Sequence, residues 1–161
     1  MNKLGTEEAE KIIRQYSDMI YRIAVHNLGN TSDAEDIMQE VCITLLTKCP
    51  EQRDPEHIKA WLIRVTINKC NSFHRLVWHK RCESLDDYTH LEAPEQTSVM
   101  EEIRQLPKDY RNIIYLYYYE SYTIAEIAKI LKKNPNTVSS YLQRARKKLK
   151  ELLTEGEGSH A

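Results

Sequence analysis

Glycine and proline are scarce in this 161-residue chain, at four and five copies, and that scarcity argues against a fold of many short strands joined by tight turns. The long intervals between them are filled by helix formers such as Leu, Glu, Lys, Gln, Arg and Ala, so an all-α protein is expected. No apolar stretch approaches the roughly 18 to 20 residues needed to span a bilayer. The N-terminus is polar and acidic instead of basic then apolar, so a cytoplasmic protein without a targeting segment is expected. Cysteine is sparse as well. Cys42, Cys49, Cys70 and Cys82 follow neither a disulfide framework nor a paired C-x-x-C ribbon, and reduced thiols are expected. Cys70 and His74 are one helical turn apart, but with His79 and Cys82 they match no standard zinc spacing, so neither a metal nor a cofactor is expected. There is no Gly-rich phosphate loop, no H-E-x-x-H, no nucleophile elbow and no isolated carboxylate pair, which leaves no case for an enzyme.

The near-zero net charge of −1 hides a strong division along the chain. Residues 1–82 carry a net +1, residues 83–102 carry −7 without a single Lys or Arg, and residues 103–161 carry +5. Acidic residues are missing altogether from residues 127–150, where Lys129, Lys132, Lys133, Arg144, Arg146, Lys147, Lys148 and Lys150 accumulate. An ordinary solvated helix face mixes both signs, whereas a face meeting phosphates does not.

Apolar periodicity divides the rest. A first stripe, Ala9, Ile12, Ile13, Tyr16, Met19, Ile20, Ile23 and Ala24, has Thr6 as N-cap and stops near Gly29. Ser32 and Glu35 have capping-box spacing ahead of a second stripe, Ile37, Met38, Val41, Cys42, Leu45 and Leu46. Pro55 opens a third, through Ile58, Trp61, Leu62, Val65, Cys70, Phe73 and Val77, with Trp61 expected in the core. Periodicity fades over residues 83–97, which read as an acidic linker, and a short helix follows over residues 98–105. The run IIYLYYY, residues 113–119, suits a strand or a helix by composition, and its neighbours favour helix. The organisation expected is two small helical domains, 1–82 and 98–155, joined by the linker 83–97 and followed by a tail, 156–161.

Within the second domain, Thr123 and Glu126 repeat the capping-box spacing before Ile124, Ile127, Ala128 and Leu131. Asn134 then caps a helix that opens on Pro135 and carries Val138, Leu142, Ala145, Leu149 and Leu152 on one side. Two short helices around a tight turn, the second basic, make a helix-turn-helix. Its second helix enters the major groove, so Asn136, Thr137, Ser139, Ser140, Gln143, Arg144 and Lys147 are the candidates to face base edges and phosphates. Gln143 and Arg144 can make bidentate contacts to adenine and guanine, each good for about 1 to 3 kcal/mol of discrimination. A regulator that binds DNA on its own, without polymerase, would also use such a unit.

Three segments in this order resemble the extracytoplasmic-function (ECF) sigma factors of the sigma-70 superfamily. DAEDIMQEVCITLL, residues 33–46, is similar to the helix that docks on the β′ clamp helices of RNA polymerase; KAWLIRVTINKCNSFHR, residues 59–75, to the helix that meets the −10 promoter element; and residues 106–153 to the domain that binds the −35 element. The resemblance implies a promoter-selecting subunit of polymerase with no catalytic role. It implies core polymerase as a partner, through its β′ clamp helices and β subunit, with polymerase contacts from Asp33, Glu35, Asp36, Gln39 and Glu40 on the helix that docks on the clamp. It implies −10 contacts from Arg64, Asn68, Ser72 and Arg75, with residues 48–54 where the family captures an unstacked base. The seven residues of the helix-turn-helix become the −35 set. Core polymerase, promoter DNA and an anti-sigma protein are the partners implied, and the linker is expected to thread the RNA-exit path. Ser72 stands where the family often has Asp, Lys132 where the turn usually has Gly, and Ser139 and Tyr141 where basic residues are frequent, which implies fewer −35 contacts than usual.

Overall fold

The computed structural model describes residues 4–51, 54–81 and 100–158, and every regular element among them is helical. The chain divides into two compact units, Met1–Ala93 and Pro94–Ala161. The expected linker, residues 83–97, lies outside the described residues.

The first unit is a bundle of three helices, α1 (Thr6–Leu28), α2 (Thr31–Lys48) and α3 (Pro55–Arg81), each packed on the other two. The N-cap of α1 is Gly5 and not the expected Thr6; it is extended, with no side-chain cap. Leu4 and Ala9, both buried, occupy the two positions of a hydrophobic staple, and that burial sets the entry of the chain one residue earlier. The helix stops where Gly29 turns left-handed, at φ 73°, and donates to the Val25 carbonyl. Asn30, not Ser32, caps α2. Its Oδ1 accepts from the Ser32 amide at 2.8 Å and the Asp33 amide at 3.4 Å, and its Nδ2 donates to Asp33 Oδ2 at 2.9 Å. A cap immediately after the left-handed glycine leaves no room for a second one two residues later.

Pro55 opens α3 as expected, with the Ile58 amide donating to the Asp54 carbonyl. The buried face of α3 is rotated from the expected stripe. Ile58, Leu62 and Cys70 are buried as read, but Ile63, Thr66 and Ile67 join them, while Trp61, Val65 and Phe73 are only half-buried. Thr66 is tolerated in the core because its Oγ1 donates to the Leu62 carbonyl at 2.7 Å. His74 Nε2 lies 2.7 Å from the Asn27 carbonyl and ties α3 to the end of α1.

The second unit assembles shorter pieces: α4 (Met100–Arg104), α5 (Lys108–Ile114), a π-helical segment (Tyr115–Tyr119), α6 (Ile124–Leu131) and α7 (Pro135–Gly158). The ambiguous run 113–119 is helical, with its second part wound to the wider turn. Helices α4, α5 and α6 all pack on α7, around buried Ile113, Leu116, Ile127, Val138, Leu142 and Ala145. The Thr123–Glu126 box is fully formed, the Glu126 amide donating to Thr123 Oγ1 and the Thr123 amide to Glu126 Oε1. Lys132 ends α6 in the left-handed conformation, φ 55° and ψ 48°. Asn134 Oδ1 accepts from the Asn136 amide at 2.8 Å, as the sequence predicts for the cap of α7. That helix runs to Gly158, past the expected end of the domain at 155.

Candidate nucleic-acid interface

The core residues of α7, Val138, Leu142 and Ala145, are spaced i, i+4, i+7 and are almost fully buried. At 100° per residue the row opposite them is Asn136, Ser140, Gln143 and Lys147, all exposed. Arg144 is exposed beside that row, and Thr137 and Ser139 are half-buried on its two flanks. All seven candidates therefore lie off the buried stripe, four of them on a single line. The turn that presents this face is fastened at its backbone, because the amides of both Lys132 and Lys133 donate to the Ala128 carbonyl.

Two of the basic residues counted toward the phosphate-facing surface have partners within the unit: Lys133, whose Nζ lies 3.8 Å from Asp109 Oδ2, and Arg146. Arg146 donates through Nε to Tyr118 Oη, and its guanidinium lies 5.2 Å from the centroid of the Tyr117 ring and 5.5 Å from that of Tyr118. The hydrogen bond to Tyr118 raises its pKa, and the guanidinium is held at the surface against the two tyrosine rings. The sequence carries no sign of this pairing across 28 positions, since it depends on the π-helical segment that brings Tyr117 and Tyr118 to α7.

In the first unit, Ala34, Ile37, Val41 and Leu45 turn inward on α2, and Glu35, Asp36, Gln39 and Glu40 are exposed on the other side. Asp33 is half-buried at the cap, where burial first and the Asp36 charge second push its carboxyl above the ordinary value of 3.8. Leu46, expected in the buried stripe, is 41% exposed, and Ile43 is 59% exposed. Both continue the outer row one and two turns beyond Gln39. The two neighbours of α2 cover only one side of its last two turns.

On α3, Asn68 and Ser72 are exposed and Arg64 is half-buried, and the spacing 64, 68, 72, 75 places all four positions along one side of the helix. The side chain of Arg75 lies outside the described residues. Half-buried Trp61 belongs to the same side, one turn before Arg64, and is not the core residue its place in the apolar pattern suggests. In the loop at 48–54, Cys49 is buried, Pro50 half-buried and Glu51 exposed, and residues 52–53 lie outside the described residues. Cys82 and its candidate metal partnership also fall outside them; Cys70 is buried, and His74 engages the Asn27 carbonyl.

A three-helix bundle whose α2 turns acids outward is thus followed in the same chain by a helix-turn-helix whose outer face is basic. Residues 12–79 match the family "Sigma-70 region 2" and residues 96–149 match "Sigma-70, region 4". The chain is 31% identical to the RNA polymerase sigma factor SigV of Bacillus subtilis over 96% of its own length and 98% of that protein's. It is 27% identical to the ECF RNA polymerase sigma factor SigW of the same organism, over 95% and 93%. The chain belongs to the ECF sigma factors of the sigma-70 family. It is a transcription-initiation factor that binds core RNA polymerase and directs it to promoters through the −10 and −35 elements. A helix-turn-helix regulator acting alone would account for residues 96–149 and leave 12–79 without an explanation.

The fold is shared with RpoE of Bartonella quintana, solved in complex with the anti-sigma factor NepR, at a TM-score of 0.79 and 20% identity over 90% of this chain and 96% of that one. It is shared also with CnrH in complex with the cytosolic domain of CnrY, at a TM-score of 0.69 and 19% identity over 94% and 90%. No helix among the described residues is long and apolar enough to cross a membrane.

Proposed function

We propose that three separate surfaces carry the activity of this sigma factor, each on the outer side of one helix. Asp33, Glu35, Asp36, Gln39 and Glu40 on α2 bind polymerase, their charge and amide groups complementing a basic clamp surface. Arg64, Asn68, Ser72 and Arg75 on α3 meet the −10 element. Asn136, Thr137, Ser139, Ser140, Gln143, Arg144 and Lys147 on α7 meet the −35 element, Gln143 and Arg144 reading bases and Lys147 answering phosphate. The observation that carries the assignment is the segregation of charge: 24 residues, 127–150, free of acid and opposed to a dry core, in a chain whose other helical unit turns acids outward.

The same reading divides the chain into a polymerase and −10 domain at 1–82, an acidic connector at 83–97 and a −35 domain at 98–155. It makes the protein a cytoplasmic adaptor without catalytic activity of its own. Tethering multiplies the weak contacts of the two domains, so neither domain suffices alone. An anti-sigma protein covering these faces is the expected regulator; the fold relatives RpoE and CnrH were each solved with a partner bound, in RpoE's case a named anti-sigma factor.

Runoff transcription with core polymerase over a promoter library tests the whole assignment. Arg144→Ala is expected to reduce −35 discrimination about tenfold, a single bidentate contact's worth, with thermal stability unchanged. Undiminished discrimination would remove α7 from the −35 site.

A further inference from the structure

Tyr141 on α7 takes part in an assembly of side chains within the second unit. Its ring meets that of Tyr110 on α5 at a centroid distance of 5.2 Å and an interplanar angle of 57°. Lys133, in the turn before α7, places Nζ 5.9 Å from the centroid of the Tyr141 ring and 3.8 Å from Asp109 Oδ2 at the start of α5. All four side chains are half-buried. The four residues thus connect the first turn of α5, the helix-turn-helix turn and the second turn of α7.

We propose that Tyr141 is a positioning residue for −35 recognition, bracing the roll of α7 against α5 through Tyr110 and Lys133 without touching DNA. The inference rests on the assignment of α7 as the −35 reader. Hydrophobic burial is non-directional, and two of the three most buried residues on α7, Val138 and Ala145, are small. They hold the helix down without strongly fixing its rotation. A roll of about 10° swings a group on a ~6 Å radius through about 1 Å, more than the ~0.5 Å within which a binding constellation must be held. A tilted aromatic pair with a cation above one ring has a preferred geometry and so supplies direction. Tyr141 lies one turn from Thr137 on one side and from Arg144 on the other, so the brace acts next to Arg144, one of the two specificity residues. It also fastens the turn through Lys133, the residue immediately after left-handed Lys132, where a glycine would otherwise make the turn easy to form.

The test uses holoenzyme reconstituted from core polymerase and each full-length variant, on two templates that differ only in an intact or scrambled −35 element. Tyr141→Ala is expected to lower the ratio of transcription from the two templates about fivefold, leaving output from the scrambled template and the salt dependence of promoter binding unchanged. Tyr141→Phe keeps the ring and is expected to hold the ratio within about twofold of the parent. Lys133→Met removes the cation and is expected to lower it about twofold. Tyr141→Phe as damaging as Tyr141→Ala would overturn the proposal, because the hydroxyl would then be contacting DNA. If Tyr141→Ala melts the domain, Lys133→Met carries the test, and an unchanged ratio there overturns it. An unchanged ratio in Tyr141→Ala beside a reduced one in Arg144→Ala overturns the brace alone, whereas no change in either overturns the assignment of α7 and the brace with it.

Discussion

The N-terminal bundle and the C-terminal unit reach a buried core by different routes. The first uses three helices of 23, 18 and 27 residues, each long enough for its apolar side to be repeated over several turns. The second uses α4, α5 and α6, of five, seven and eight residues, around one long helix. Helices that short are not stable on their own. They depend on caps, on the shape of the turns between them and on α7. Redundant packing therefore holds the first unit, and local backbone chemistry matters more in the second.

The sharpest way to break that contrast is at the two cores. Leu142→Ala and Leu62→Ala each remove a side chain that is at most 2% exposed and should each cost about 2 to 5 kcal/mol. In urea unfolding followed by circular dichroism, Leu142→Ala should unfold the second unit first and leave the first unit's transition in place. A single shared transition shifted equally by both variants would show that the contrast is false.

Caps come next in size. Thr123→Ala removes the reciprocal box of α6 and Asn30→Ala the cap of α2, each at about 1 kcal/mol by the general rule. The larger fall in melting temperature is expected for Thr123→Ala, because the eight-residue helix has less packing to fall back on. Equal shifts would mean that helix length does not matter here.

Gly29 and Lys132, the left-handed ends of α1 and α6, give a smaller, opposed pair. Gly29→Ala should destabilise by about 1 kcal/mol, while Lys132→Gly should stabilise by about 0.5 kcal/mol after the added flexibility of the unfolded chain is subtracted. Thermal melting reads both, and a loss of stability in Lys132→Gly would show that the lysine side chain holds that turn.

Acid gives the smallest effect, and its sign differs between the units. The Thr123 amide, its hydrogen bond to the carboxylate being the main cause, holds Glu126 below its ordinary value of 4.5. The unfolded chain therefore binds that proton first, so the contribution is present above 4.5 and lost as pH falls through the lower folded value. Asp33 is raised above 3.8 by burial and by Asp36, so its ionisation opposes folding as pH rises through that range, and acid relieves it. Between pH 5 and pH 3 the ratio of the two units' stabilities should move in favour of the first, and Glu126→Gln should remove part of that change. An unaltered pH dependence in Glu126→Gln would separate the box from the carboxylate.

How much of this was legible in the sequence follows the same division. The long stripes on α1 and α2 identified Ile20, Ile23, Ile37 and Val41 as core, because several turns of repetition average out single irregular positions. Pro55, Gly29, Thr123 and Asn134 marked helix ends correctly, since each works through its own backbone geometry. Thr6 and Ser32 misled because Gly5 and Asn30 stood closer to where the chain entered its helix. On α3 a near-continuous apolar run allowed more than one choice of face, and the packing of α1 and α2 selected Ile63, Thr66 and Ile67 over Trp61 and Val65. The basic, acid-free stretch of α7 up to residue 150 was plain from composition. The pairing of Arg146 with Tyr118 and of Tyr141 with Tyr110 was not, since both join residues about 30 positions apart through elements whose orientation no local pattern records.

The π-helical segment Tyr115–Tyr119 sets a phase. A π-turn holds roughly one residue more than an α-turn, and one residue is about 100° of helical rotation. The amides of Glu120 and Tyr122 reach back to the carbonyls of Tyr115 and Leu116 across that wider turn. Loss of a single residue here would let the chain rewind as regular α-helix and turn Tyr118 away from Arg146. The guanidinium so released would join Lys147 and Lys150 in counterion exchange with a duplex, steepening the dependence of promoter binding on ionic strength by about one unit of slope.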